Sequence, residues 1–190
     1  MTSDEALMLE FQGGSRAAFE ELFARYRKPL YGFFGRRLNN PERAEDLVQE
    51  TFLAVIRAIS RYEPRASVRT YLSGIALKLL AAERRKFLTS GALGQSASEP
   101  KTDGASESVL WVRQALEKLD APEREILMLR EYEQLSYSDI AELLRIPVNT
   151  VRSRLFRSRL TLKNYLESEA KNNPLRASTG QPRPGRRGMQ

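Results

Sequence analysis

Apolar residues along this chain recur at spacings of three and four, and nowhere do they alternate singly over the length of a strand. That period is the signature of amphipathic helices. It predicts a short helix over residues 4–11 and a long one over 15–38, with Pro29 as a candidate break. Asn40 is a natural cap for a helix running to about residue 60, with Pro41 at its first position, where a missing N–H costs nothing. Ser67 is placed to cap another over about 68–86. Further helices are expected at 107–119, 122–132, 136–144 and 147–170.

Two stretches interrupt this pattern. Residues 88–106 are rich in Gly, Ser and Ala and show no period, which predicts a flexible linker. Residues 171–190 carry Pro, Gly and five basic residues with no acid, which predicts a basic disordered tail. The expected architecture is therefore all-α: two small helical domains, 1–87 and 107–170, on either side of the linker.

Two helices have informative outer faces. At 100° per residue, Val48, Phe52, Val55 and Ile59 fall on one side of the second long helix and form its core stripe. Asp46, Gln49, Glu50 and Leu53 fall on the other, together with Arg57. A mostly acidic patch with one leucine at its centre is either ordinary surface or a docking site for a basic partner, with Leu53 as anchor. In the last helix Val148, Val151, Leu155, Ser158 and Leu162 form the core stripe. Ser153, Phe156, Arg157 and Leu160 lie opposite, with Arg152 and Arg154 flanking the stripe. Phe156 between Ser153 and Arg157 suits thymine methyls and base edges better than plain solvent.

The helix before it begins at Ser136, with Asp139 three residues on as a capping-box partner. A three-residue turn, Arg145-Ile146-Pro147, joins the two. Helix, short turn and basic helix is the helix-turn-helix arrangement of DNA-binding proteins. A left-handed residue is common in such turns. If Arg145 takes that conformation, it costs on the order of 1 kcal/mol.

Charge sharpens the picture. The chain has 31 basic and 24 acidic residues, a net charge of +7. The excess lies at +4 over 1–87, −2 over 88–107, zero over 108–170 and +5 over 171–190. The neutral block is divided, because residues 145–163 hold six basic side chains and no acid. A one-sign stretch of this kind is an electrostatic footprint for phosphate. There is no Cys and no His, so disulfides, thiol nucleophiles, zinc sites built on those ligands and His general bases are excluded. Metal binding through carboxylates alone stays open, but Glu45, Asp46 and Glu50 project at about 60°, 160° and 200° around their helix and do not converge. No apolar run approaches the roughly 20 residues that span a bilayer. Residues 1–10 are acidic and lack the pattern of a signal peptide, so a cytoplasmic protein is expected.

Residues 135–162 (LSYSDIAELLRIPVNTVRSRLFRSRLTL) closely resemble region 4.2 of bacterial sigma factors of the extracytoplasmic function (ECF) group, within the sigma-70 family. Residues 44–53 (AEDLVQETFL) resemble their region 2.2, and residues 61–86 resemble regions 2.3 and 2.4. The likeness covers about residues 10–167. It implies a non-catalytic specificity subunit that uses no cofactor, binds core RNA polymerase and directs it to promoter DNA. By this likeness Asp46, Gln49, Glu50 and Leu53 dock on the polymerase β′ coiled coil, and the β flap is a second contact. Arg152, Ser153, Phe156 and Arg157, with Arg154 beside them, read the −35 element. The acidic linker threads the polymerase's nucleic-acid channels, and an anti-sigma protein is the expected regulator.

The −10 surface must hold unstacked bases by stacking and by a basic groove. Its candidates are Tyr62, Arg65, Arg69, Lys78, Arg84 and Arg85, with Tyr71 as a core aromatic or a further member. Tyr71 stands where the family usually has Trp, and Lys78 where Asn is common. Lysine offers only donors, so a −10 preference unlike the family's is expected. Two other readings stay open on sequence alone: a stand-alone helix-turn-helix regulator that binds operator DNA, and a Mg²⁺-dependent enzyme acting on nucleic acid.

Overall fold

A computed structural model describes residues 2–38, 40–89 and 107–172. The described residues form α-helices, one 3-10 turn and their connections. The helices are α1 (Asp4–Gln12), α2 (Arg16–Gly35), α3 (Pro41–Ala58), α4 (Val68–Thr89), α5 (Glu107–Glu117), α6 (Ala121–Glu131), α7 (Tyr137–Leu144) and α8 (Val148–Asn172). The 3-10 turn, Ile59–Arg61, continues α3. The all-α expectation holds. Most of the expected linker and tail lies outside the described residues, although α4 reaches Thr89 and α8 reaches Asn172.

Side-chain caps start the helices where expected. Ser3, Ser15 and Asn40 accept from the backbone N–H groups of Ala6, Ala18 and Arg43. The Ser67 hydroxyl accepts from the Thr70 N–H at 3.1 Å. Each such bond satisfies a donor that a helix start otherwise leaves orphaned. Pro29, the candidate break, lies within an unbroken α2. Tyr26, Leu30, Phe33 and Phe34 are all buried on that helix. Their shared packing outweighs the one backbone bond that proline removes.

α1, α2, α3 and α4 pack in sequence around Met8, Phe33, Phe34, Leu47 and Leu80. A phenylalanine cluster joins three of them: Phe11 and Phe19 lie 4.9 Å apart, Phe19 meets Phe52 edge-on at 6.0 Å, and Phe23 lies 4.7 Å from Phe52. In the second group α8 packs on α6 and α7 around Ile126, Leu129, Leu135, Ile140, Val151 and Leu155.

The buried apolar residues of the two groups form one continuous cluster, and charged pairs tie the groups together beside it. Arg37 of the first group is almost fully buried and bonds Glu125 at 2.9 Å and Glu133 at 3.5 Å. Arg36 bonds Glu133 at 2.8 Å and lies over the Tyr132 ring. Gly74 of α4 meets Leu143 of α7, and a Cβ there would sit 3.0 Å from Leu143 Cδ2. The small residue therefore sets how closely those helices approach.

α7 opens with the expected capping box, in which Ser136 and Asp139 satisfy each other's backbone N–H. It ends on Arg145 at φ 53°, ψ 48°, left-handed as the turn requires. Arg145→Gly should relieve the Cβ strain and raise stability by about 1 kcal/mol, seen as a higher urea midpoint with unchanged slope. An unchanged or lower midpoint would show that the arginine side chain compensates.

Candidate nucleic-acid and polymerase interfaces

α8 buries Val151, Leu155 and Ser158 and turns the opposite side outward. Arg152, Ser153, Phe156 and Arg157 are all exposed on that side, at the spacing that puts four residues on one strip. Phe156 is 68% exposed, the most open large apolar side chain among the described residues. Arg154 is half-buried at the edge of the strip. Arg152 donates to Asn149 Oδ1 at 3.3 Å, and the Ser153 hydroxyl donates to the Thr150 carbonyl at 3.1 Å. Arg157 Nε donates to Glu123 of α6 at 2.7 Å. Arg159 pairs with Glu131 at 2.8 Å, and that hydrogen bond raises its pKa.

On α3, Asp46, Gln49 and Leu53 are exposed and Glu50 is half-buried. Leu53 is 47% exposed, and Ile56, one turn further, is 43% exposed. Together they make an apolar centre wider than the single leucine expected. A residue absent from the sequence-based patch organises it. Arg43 Nη1 reaches Glu50 at 3.0 Å and Asp46 at 3.5 Å, while its Nε and Nη2 hold Glu83 of α4 at 2.7 and 2.8 Å. Glu83 is buried, and the hydrogen bond from Arg43 holds its carboxyl below the usual range against the cost of burial. Spacings of three and seven residues from Arg43 could have revealed Asp46 and Glu50. Nothing in the sequence reveals Glu83, which lies 40 positions away.

The third candidate surface divides. Arg65, Arg69, Lys78, Arg84 and Arg85 are exposed, whereas Tyr62 is buried. Its ring meets Tyr71 edge-on at 5.4 Å, and its hydroxyl has no hydrogen-bond partner. Burial raises the pKa of both phenols. Arg65 is drawn to Glu63 at 2.6 Å. Arg69 reaches across to the second group, 3.4 Å from the Glu133 carbonyl and 3.2 Å from Gln134 Oε1. Arg84 lines the cleft of about 370 Å³ between the groups, with Arg36, Arg37 and Arg124.

α1 fixes the segment that carries these residues. Gln12 Nε2 donates to the carbonyls of Ile59 and Tyr62, and Glu5 accepts from the Val68 N–H at 3.2 Å. These contacts span 47 to 63 residues, beyond what local pattern shows. Among the described residues no group of acidic side chains could hold a metal ion, and no helix is long and apolar enough to cross a membrane.

Comparison with known proteins agrees with this geometry. Residues 22–86 match the family described as Sigma-70 region 2, and residues 110–162 match Sigma-70, region 4. The RNA polymerase sigma-H factor of Pseudomonas aeruginosa is 30% identical over 181 residues, covering 86% of this chain and 94% of the relative. CarQ of Myxococcus xanthus is 32% identical, covering 84% and 95%. The ECF sigma-E factor of Escherichia coli is 31% identical, covering 87% and 95%. Among solved structures, CnrH in complex with the cytosolic domain of CnrY matches with a TM-score of 0.65 and 25% identity, over 88% of this chain and 99% of that one. The sigma factor RpoE of Bartonella quintana, solved with the anti-sigma factor NepR, shares the fold at a TM-score of 0.64 and 24% identity, over 78% of this chain and 96% of that one. Matches to both regions, in order, within relatives matched over nearly their whole length disfavour a stand-alone operator-binding regulator. The chain belongs to the sigma-70 family, in its extracytoplasmic function group: it is an RNA polymerase sigma factor, which binds core polymerase and directs promoter-specific initiation.

Proposed function

We propose that this sigma factor divides its work between its two helical groups, and that each exposed face described above has one task. Residues 1–87 engage the polymerase and the −10 element, 88–106 connect, 107–170 read the −35 element as duplex, and 171–190 form a basic tail. Arg152, Ser153, Phe156 and Arg157 enter the major groove, with Arg154 at the strip's edge near phosphate. The observation that carries this is the strip itself: three polar or basic side chains around one strongly exposed aromatic, on a helix whose other side is core. Phenylalanine in water gains nothing there, while against a thymine methyl it gains contact.

The polymerase-binding patch is Asp46, Gln49, Glu50 and Leu53, directed at the β′ coiled coil, with the β flap meeting the second group. Leu53 fills an apolar pocket and the carboxylates complement a basic partner. Arg65, Lys78, Arg84 and Arg85 supply the basic groove at the −10 element, Arg69 joins them when the groups part, and Tyr62 supports the groove from beneath through Tyr71. The chain works in the cytoplasm and contributes no catalytic group. An anti-sigma protein controls it, as the structures of relatives with CnrY and NepR illustrate.

Run-off transcription tests the reading. Core RNA polymerase, this protein and a library of promoter fragments should give discrete transcripts that need both proteins. No transcript with the native core enzyme, combined with operator binding by the protein alone, would overturn it. The docking patch has its own test. Leu53→Ala with Glu50→Ala should weaken core polymerase binding by about tenfold or more, since buried apolar anchors carry most interface energy. The fold should survive, because Arg43 keeps Glu83. Unchanged affinity would remove the patch from the interface.

A further inference from the structure

Arginine can meet DNA in two ways, as a mobile charge beside phosphate or as a planar fork on a guanine edge. The fork demands a fixed guanidinium plane, and a long side chain on an exposed helix has none unless something holds it. Of the arginines on the outward strip of α8, Arg157 has such a holder. Its Nε donates to Glu123 Oε1 at 2.7 Å, and the side chains are 57% and 13% exposed respectively. The acceptor is therefore set into the structure while the arginine's far end stands open. Glu123 occupies the first turn of α6, where the helix N-terminus favours a carboxylate. Its backbone is tied to α8 as well. The fully buried Ser158 hydroxyl, one residue past Arg157, lies 3.3 Å from the Glu123 carbonyl and 2.8 Å from that of Arg154.

The neighbouring arginines lack this arrangement. Arg159 is held by Glu131 and Tyr137, but at 100° per residue it falls beside the core stripe and off the outward strip. Among the described residues Arg152 meets the amide of Asn149 at 3.3 Å, within its own helix, and no carboxylate. A carboxylate on Nε also leaves both terminal nitrogens available, and those are the two donors that match guanine O6 and N7. At the same time it offsets the side chain's charge, which weakens it as a phosphate contact.

We propose that Glu123 is a positioning residue that holds Arg157 with its terminal nitrogens presented as a fork, so that this arginine specifies a guanine in the −35 element. The inference rests on the reading of α8 as the −35 reader and deepens it.

The test uses the full chain with core RNA polymerase on a promoter found by run-off transcription. Each −35 guanine in turn is replaced by 7-deazaguanine, which removes the N7 acceptor and keeps base pairing. With the unaltered protein, one such replacement should lower transcription by about fivefold or more, the low end of what a bidentate contact discriminates. Arg157→Ala should abolish that sensitivity and so identify the base. Glu123→Ala should reduce it to less than about twofold, with polymerase affinity and thermal midpoint unchanged. Glu123→Gln, whose amide oxygen still accepts from Nε, should keep most of it. If Glu123→Ala lowers the thermal midpoint, Glu123→Met, of similar length and without an acceptor, replaces it. Sensitivity in the acceptor-less variant equal to or above that of the unaltered protein overturns the positioning role. Sensitivity that survives Arg157→Ala instead overturns the underlying assignment of Arg157, a distinguishable failure.

Discussion

Replacing Arg157 with alanine should lower transcription from a −35-dependent promoter by about fivefold or more, because a base-edge contact of this type is worth roughly 1–3 kcal/mol. Affinity for core polymerase should change by less than about twofold, since Arg157 stands on the DNA-facing strip, outside the α3 patch and the β-flap contact proposed above. The asymmetry is the informative part. A side chain that merely stabilised the second group would lower both quantities together. Arg157 is 57% exposed, and its partner Glu123 keeps the favourable field of the α6 N-terminus when the arginine is gone. The fold should therefore survive the change. Quantitative run-off transcription beside a polymerase-binding titration measures both numbers, and equal losses would contradict the assignment.

Arg43→Ala should destabilise the first helical group by about 3 kcal/mol, because removing one partner strands a buried carboxylate. Glu83 is almost fully buried and receives two short hydrogen bonds from Arg43. Lys86, 3.8 Å away and largely exposed, replaces little of that. The effect should depend on pH with a definite sign. Arg43 depresses the Glu83 pKa, so the pair stabilises the fold above the ordinary carboxyl value near 4.5 and loses that contribution as pH falls through the depressed value. In the variant, burial without a partner raises the Glu83 pKa, and protonation then relieves the stranded charge. The stability gap between the two proteins should be widest near neutrality and narrow on acidification. Urea unfolding at a series of pH values measures it, and a gap independent of pH would show that Arg43 acts by packing alone. The same variant frees Asp46 and Glu50, so its affinity for core polymerase, measured below the unfolding range, reports how far Arg43 sets the charge of that patch.

Much of this protein was legible one residue at a time. The cap of α3 at Asn40, the capping box of Ser136 and Asp139, and the left-handed turn at Arg145 depend on neighbours within four positions, so they follow from local chemistry. The outward strip of α8 and the Leu53 patch of α3 follow from helical period alone, since the core stripe of each helix fixes what remains outside. Pro29 was less legible, because a local rule that favours a break lost to the buried side chains on the same helix, among them Tyr26, Leu30, Phe33 and Phe34. Tyr62 was less legible for a related reason: an aromatic near a basic run suits base stacking and core packing equally, and only its neighbour Tyr71 decides.

What the sequence determined by itself is the all-α character, the helix ends, the helix-turn-helix, the sign of the charge on each face and the resemblance to sigma factors. All of these rest on spacings of a few residues or on ordered short motifs. The tertiary structure decided which charges are spoken for. Arg43 with Glu83, Arg37 with Glu125 and Glu133, and Arg157 with Glu123 join residues 34 to 96 positions apart. No periodicity encodes such pairs, because they form only where packed helices bring two chain-distant side chains within hydrogen-bond reach and exclude water from around them. That is why the sequence marked out the two exposed faces, while only the fold shows that Arg43 ties one to Glu83 and that Arg157 of the other meets Glu123.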